Sequence, residues 1–147
     1  MTSAENRAEV GKTIKVLSNY LNRRLLQIPA FKNQDEITPV QGMLLGFIIE
    51  EEGDIFQKDI EEMFSLRRST VSGALSNMEK NGLIIREKVA YDARLRKITA
   101  TKRGEKIHSL IRSELGAIEL QIRTGLTEEE MTAFFHTAEK IKRNLLQ

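Results

Sequence analysis

The sequence predicts a mainly α fold carrying one small β-hairpin, and three observations predict it. Apolar residues recur at three- and four-residue steps through most of the 147 residues, the period of helices with one buried stripe. A single stretch, 84–101, follows the two-residue period of strands instead. Just before it, two short helical segments are separated only by Ser65-Leu66-Arg67, too few residues for anything but a tight turn. The expected order is four helices, two strands and two further helices, with no internal repeat and no low-complexity segment.

The first helix is expected from about Asn6 to Ile28, with Ile14, Leu17, Leu21, Leu25 and Ile28 on one stripe. Pro29 and the polar run 32–36 mark a connection. Thr38-Pro-Val-Gln41 reads as a helix start, because Thr can cap, Pro is pre-set for the first position and Gln can reach back. The helix it opens, to about Glu51, is apolar almost all round and should be buried centrally; Gly53 stops it.

Gln57–Phe64 and Arg68–Lys80 are the two short helices, and Asn81-Gly82 ends the second. Val71, Leu75 and Met78 share one face of the second helix and should pack on Ile60, Met63, Phe64 and Leu83. The opposite side presents Ser69, Thr70, Ser72, Gly73, Ser76, Asn77 and Lys80, with Arg67 and Arg68 at its start. Short hydroxyls and bases there suit close approach to base edges in a major groove. Gly73 costs about 1 kcal/mol against Ala in a helix interior, which close approach to a nucleic-acid backbone would explain.

The hairpin runs out along Ile84–Val89 and back along Lys97–Thr101, with a tip at Ala90–Arg96. Arg94 and Arg96, projected from that tip, suit a minor groove, and Asp92 stands where it could hold the Arg94 guanidinium. Helix, turn, helix and basic hairpin together form the layout of a winged helix-turn-helix. A long helix then runs from Thr101 to about Thr124 with Ile107, Leu110, Ile111, Leu115, Ile118 and Ile122 on one side. Gly125 breaks it, and Thr127-Glu-Glu-Glu130 is a capping box for a last helix carrying Met131, Phe134, Phe135, Ala138, Ile141 and Leu145.

Charge is divided unevenly. Residues 67–106 hold eleven Lys/Arg against four Asp/Glu, a net +7, whereas the remainder holds 12 against 17, a net −5. That asymmetry is the footprint of a polyanion partner. Zero cysteines excludes disulfides, thiolate metal sites and thiol-based redox sensing. No apolar run approaches the roughly 20 residues that cross a bilayer, and the first seven residues lack the apolar core of a secretion signal, so cytoplasmic residence is expected.

Ser69-Thr-Val-Ser72, Leu75, Met78-Glu-Lys80 and Asn81-Gly-Leu-Ile84 resemble the recognition-helix signature of MarR-type transcriptional regulators. Asp92-Ala-Arg94 is similar to that family's Asp-x-Arg wing motif, and Ile98-Thr-Ala-Thr101 with Gly104 to the segment entering the long helix. The likeness spans about 110 residues, from Thr38-x-x-Gln41 to the final helix. It implies a two-fold homodimer on a pseudo-palindromic operator in double-stranded DNA. It also implies repression, relieved when a small phenolic or lipophilic effector enters a cleft near the dimer helices. Residues 1–37 would then be an N-terminal dimerisation helix, 38–102 the DNA-binding domain and 103–147 the C-terminal dimerisation helices. Tyr20, Arg24, Met43 and Phe47 are the candidates for lining the effector cleft, with core packing as the alternative reading of the same side chains. His108 and His136 are a thin basis for the family's zinc-sensing branch, and neither metal nor cofactor is expected. Gly73 departs from relatives, which often carry Arg there.

Two other functions compete. A winged helix can serve as a protein-interaction module without direct operator binding, although the Ser-rich face suits base edges better. An enzyme is disfavoured: the carboxylate clusters, Glu50-Glu51-Glu52 with Asp54 and Glu128-Glu129-Glu130, sit at helix ends, and no nucleophile–base pair or phosphate loop accompanies them.

Overall fold

The computed structural model describes residues 8–33 and 35–147. In order these form α1 (Val10–Leu25), α2 (Pro29–Lys32), α3 (Pro39–Glu50), α4 (Gln57–Phe64), α5 (Arg68–Lys80), β1 (Ile84–Val89), β2 (Asp92–Ala100), α6 (Lys102–Arg123) and α7 (Glu128–Leu145). Two compact units result, one ending at Glu114 and one from Leu115 to Gln147. The expected start of the first helix at Asn6 lies outside the described residues. Its expected end is corrected: α1 stops at Leu25, and the connection holds the four-residue α2, opened by Pro29. Phe31 of α2 is buried against the Cα of Gly42, where an added Cβ would crowd the ring at 2.7 Å.

In the first unit α3 is the central helix, with Leu44, Leu45 and Ile48 buried. Its start is the expected capping box: Thr38 Oγ1 accepts from Gln41 N–H (3.2 Å), and Gln41 Oε1 accepts from Thr38 N–H (3.2 Å). Around it lie Ile28, Phe31, Ile37, Ile55, Ile60, Val71, Leu75, Met78, Leu83, Ile84, Ile98 and Ile111, all buried. Met63, expected in this core, is exposed; Ile60 and Phe64, one turn apart, supply the inner face of α4.

α5 ends as Asn81-Gly82 predicted. Gly82 takes φ +74°, Leu83 N–H donates to Met78 O (2.9 Å) and Gly82 N–H donates to Glu79 O (3.1 Å), the paired bonds of a Schellman cap. Leu83 and Met78, both buried, supply its hydrophobic contact. The Asn81 amide donates to the carbonyls of Asp35 (2.9 Å) and Glu36 (3.1 Å), fastening this end of α5 to the α2–α3 connection.

β1 and β2 pair antiparallel, with Ile84 opposite Ala100 and Lys88 opposite Arg96. The pairing then slips to Val89 opposite Asp92, so Ala93, Arg94 and Leu95 form a bulge. The expected seven-residue tip is therefore corrected to a turn at Ala90-Tyr91, and Arg94 and Arg96 stand on β2 beside the tip. Ile98 N–H also donates to Ile55 O (2.7 Å), tying β2 to the α3–α4 loop.

In the second unit Ile118 is buried and Met131 and Ile141 are half-buried, whereas Phe134, Phe135 and Leu145 remain exposed. Of the α6 stripe, Leu110 and Ile122 are exposed. At the α7 start Thr127 Oγ1 accepts from Glu130 N–H (3.1 Å) and donates to Glu130 Oε1 (3.3 Å), so the Glu carboxylate returns to the hydroxyl. Among the described residues no helix is long and apolar enough to cross a membrane.

Candidate nucleic-acid interface

Three features of the sequence aim α5. Ser65 closes α4 in the left-handed region at φ 50°, and its N–H and that of Leu66 both return to Glu61 O, which makes the turn tight. At the other end of α4, Asp59 Oδ2 accepts from Phe56 N–H (2.8 Å) and caps the helix start. Val71, Leu75 and Met78 are fully buried, so the rotation of α5 about its axis is fixed by packing.

What remains outward is the side the sequence singled out. Arg67, Arg68, Ser69, Thr70, Gly73, Ser76, Asn77 and Lys80 are exposed, and Ser72 is half-buried. Ser72 Oγ accepts from Gln57 Nε2 (2.8 Å), an amide in the first turn of α4 that also reaches Arg68 O (3.5 Å). Gln57 was not foreseen: one glutamine at a helix start carries no periodic signal, and only the crossing of α4 and α5 brings it to Ser72. An added Cβ on Gly73 would meet nothing within 4 Å, so no packing among the described residues requires glycine there. Gly73→Ala is therefore expected to stabilise the fold by about 0.5–1 kcal/mol, read by urea unfolding. If DNA backbone approaches this spot, the same variant binds duplex more weakly.

The wing joins α5 through Glu79, whose carboxylate takes both Arg86 Nε (3.3 Å) and Arg86 Nη2 (3.2 Å). That hydrogen-bonded guanidinium holds the Glu79 carboxyl below its ordinary range, and the charge of Arg96 acts in the same sense. Arg96 is thus near enough to α5 to be felt there. With the folded-state value depressed, the contribution of this exposed pair is small, present at neutral pH and lost as acid protonates Glu79. Arg96 faces Lys88 directly across the hairpin, a like-charge pairing that costs stability unless an anion lies between or beside the two. Lys88 thereby joins the basic face, although sequence reading passed it over.

Asp92 Oδ1 accepts from Arg94 N–H (2.9 Å) and lies 3.4 Å from Arg94 Nε, so it shapes the bulge and steadies the guanidinium together. The Arg94 side chain is otherwise in solvent, 91% exposed.

The other candidates fare differently. Tyr20 lies on the exposed side of α1 with the Arg23 guanidinium 5.6 Å from its ring centroid, Arg24 is half-buried and Met43 is exposed. Phe47 packs edge-on against Phe64 with ring centroids 5.6 Å apart, both side chains half-buried. A hollow of about 190 Å³ lies elsewhere, among Ile48, Ile49, Gly53–Ile55, Lys97–Ala100 and Glu105. Glu50, from the first acidic cluster, is held by His108 Nε2 (3.2 Å) and Arg112 Nε (3.4 Å), which ties α6 to the end of α3. Among the described residues no three His, Asp or Glu side chains gather as a metal set.

A two-helix turn with a polar outer face, followed at once by a basic antiparallel hairpin, is a winged helix-turn-helix. Residues 36–95 match the MarR family model. The chain is 26% identical over 138 residues to the uncharacterized HTH-type transcriptional regulator YybA of Bacillus subtilis (strain 168), covering 93% of this chain and 86% of that one. It is 28% identical over 82 residues to the homoprotocatechuate degradative operon repressor of Escherichia coli, covering 56% and 55%. Its fold is similar to that of MepR in the S. aureus MepR–DNA complex, with TM-score 0.81, 25% identity and coverage of 94% and 99%. The matched residues 36–95 hold the two-helix turn and most of the wing, and the relatives named above are similar to this chain as HTH-type transcriptional regulators.

Proposed function

We propose that this chain is a sequence-specific, DNA-binding transcriptional regulator acting as a homodimeric repressor. α5 would enter the major groove, and the wing would reach the flanking minor groove. One observation carries this: the open Ser/Gly/Asn/Lys side of α5 and the Lys88–Arg96 face of the wing belong to one surface, joined by the Glu79–Arg86 pair. α5 also starts without a capping side chain, so its first N–H groups remain open to a phosphate flanked by Arg67 and Arg68. Names of relatives supply the repressor part of the reading.

Binding of purified protein to operator and random duplex, followed against salt, tests it. The expected result is a steep fall of log K with log salt and at least ~10³-fold preference for operator. A flat salt dependence, or equal affinity for both, would rule the reading out.

Dimerisation belongs to the same proposal. On α1, Val10, Ile14, Leu17 and Leu21 form one exposed apolar stripe, and on α7 Phe134, Phe135 and Leu145 are exposed as well. Such stripes are costly in water and self-complementary under a two-fold axis. Residues 1–37 and 103–147 would supply the dimer and 38–102 the DNA contacts. Leu17→Asp would bury a charge in that contact at a cost of about 3 kcal/mol per subunit or more. Sedimentation should then report monomer at micromolar concentration, with operator affinity reduced at least tenfold; an unchanged dimer would mean that α1 is not in the contact. A small phenolic or lipophilic effector would act by changing the spacing of the two winged lobes, with Tyr20, Arg24, Met43 and Phe47 as the side chains to substitute first.

A further inference from the structure

We infer that Gln57 is a positioning residue for base selection: it fixes Ser72 as a hydrogen-bond donor toward the major groove. The inference rests on the DNA-binding reading above and names one residue pair within that surface.

The atom of Gln57 that lies between its two partners is the amide nitrogen. Arg68 O is a carbonyl and can only accept, so the group 3.5 Å from it is the amide NH2. The same nitrogen is 2.8 Å from Ser72 Oγ, which therefore accepts. A serine inside a helix ordinarily disposes of its own proton by donating to the carbonyl four residues earlier. For Ser72 that carbonyl is Arg68 O, which already receives the Ser72 backbone N–H of the helical ladder and the Gln57 amide. The ladder N–H holds one lone pair, and the Gln57 amide crowds the other at 3.5 Å, the long limit of a hydrogen bond. Among the described residues no other acceptor meets the Ser72 proton, so it turns outward, on the side of α5 shared with Gly73 and Ser76.

Such a hydroxyl discriminates between bases. Guanine O6 and N7, adenine N7 and thymine O4 can take the outward proton, whereas the cytosine N4 amino group is met only if the hydroxyl rotates its proton back toward Arg68 O. Without Gln57 the hydroxyl could rotate to Arg68 O, and the preference would fade. Ser72 thus reads the base, and Gln57 acts only through Ser72.

The test uses the full chain and a randomised 30-base-pair duplex pool. Wild type, Gln57→Met, Gln57→Ala, Ser72→Ala and the Gln57→Met/Ser72→Ala double variant are each selected on it, then titrated on the consensus and its single-base variants. Gln57→Met keeps length and loses both donors; Gln57→Ala guards against a methionine that packs badly. Expected is a loss of about fivefold in discrimination at one base pair per half-site, the worth of one hydrogen bond. Ser72→Ala should relax the same base pair, and the double variant should be no worse than Ser72→Ala alone. In the two Gln57 single variants, salt slope and affinity for random duplex should stay as in wild type. A selection profile unchanged in both Gln57 variants overturns the inference while leaving DNA binding intact, and so does relaxation spread evenly over all positions, which would mark Gln57 as a mere support of the fold. Failure of the wild type to select any sequence would instead overturn the DNA-binding reading, and this inference with it.

Discussion

Replacing both wing arginines, Arg94→Ala with Arg96→Ala, is expected to weaken operator binding by about 10- to 100-fold at physiological salt and to flatten the salt dependence. Each phosphate neutralised by a cation contributes about −0.9 to the slope of log K against log salt. Two arginines on each wing of the proposed two-winged dimer should therefore remove up to about 4 from that slope. The structure supports assigning the loss to binding rather than folding. The Arg94 side chain is 91% exposed and among the described residues bonds to Asp92 alone, and Arg96 faces a like charge in Lys88, so its removal relieves repulsion. Unfolding midpoints should stay within about 0.5 kcal/mol of wild type, as for surface substitutions generally. Random duplex should lose affinity alongside operator, because contacts to phosphate carry no sequence information. If the slope does not move, these arginines do not meet phosphate. A loss confined to operator would place them on base edges in the minor groove.

The local devices of this fold were legible because each is written in neighbouring residues. The Thr38–Gln41 box, the Gly82 cap, the two ends of α5 and its buried Val71–Leu75–Met78 side all followed from spacing alone. What escaped depends on partners distant in sequence. α2 is one turn long, too short to show a period, and exists because Phe31 has the bare Cα of Gly42 to rest on. The hairpin bulge is a property of pairing: alternation located the return strand from Lys97 onward, but the slip beyond Lys88 moved Arg94 and Arg96 from the tip onto β2. Met63 shows the same limit, since periodicity admits either neighbour to an inner face and Phe64 took the place by stacking on Phe47. For the candidate surface, residue types on α5 were readable, whereas the hydrogen bond that orients Ser72 required the helix crossing.

Gly104→Ala should produce the largest loss of stability among single-methyl additions to this chain's helices. α6 leaves β2 without a loop, and the junction is closed by Thr101. Its N–H donates to Leu83 O (3.0 Å), its hydroxyl donates to Gly82 O, and Oγ1 accepts from Gly104 N–H (3.1 Å). These bonds draw the Leu83 carbonyl onto the Gly104 Cα, where an added Cβ would collide with the carbonyl oxygen. A side chain could swing aside; this oxygen cannot. Leu83 is buried, and its N–H is committed to Met78 O in the cap of α5. Either α6 lifts from the wing or the cap opens, at about 3 kcal/mol or more from overpacking together with a lost hydrogen bond. Gly116→Ala is the matched control, since it lies exposed in the same helix with nothing within 4 Å, and should stabilise by about 0.5–1 kcal/mol. For a chain of this size the loss at Gly104 corresponds to a Tm lower by roughly 6–12 °C. Both variants must be melted at one protein concentration, because the proposed dimerisation would couple Tm to concentration. Gly104→Ala should also weaken DNA binding at temperatures where it remains folded, since the wing and the cap of α5 share this junction. A Tm within about 2 °C of wild type would mean that the junction yields, and that the wing is not held to α6 as tightly as these bonds require.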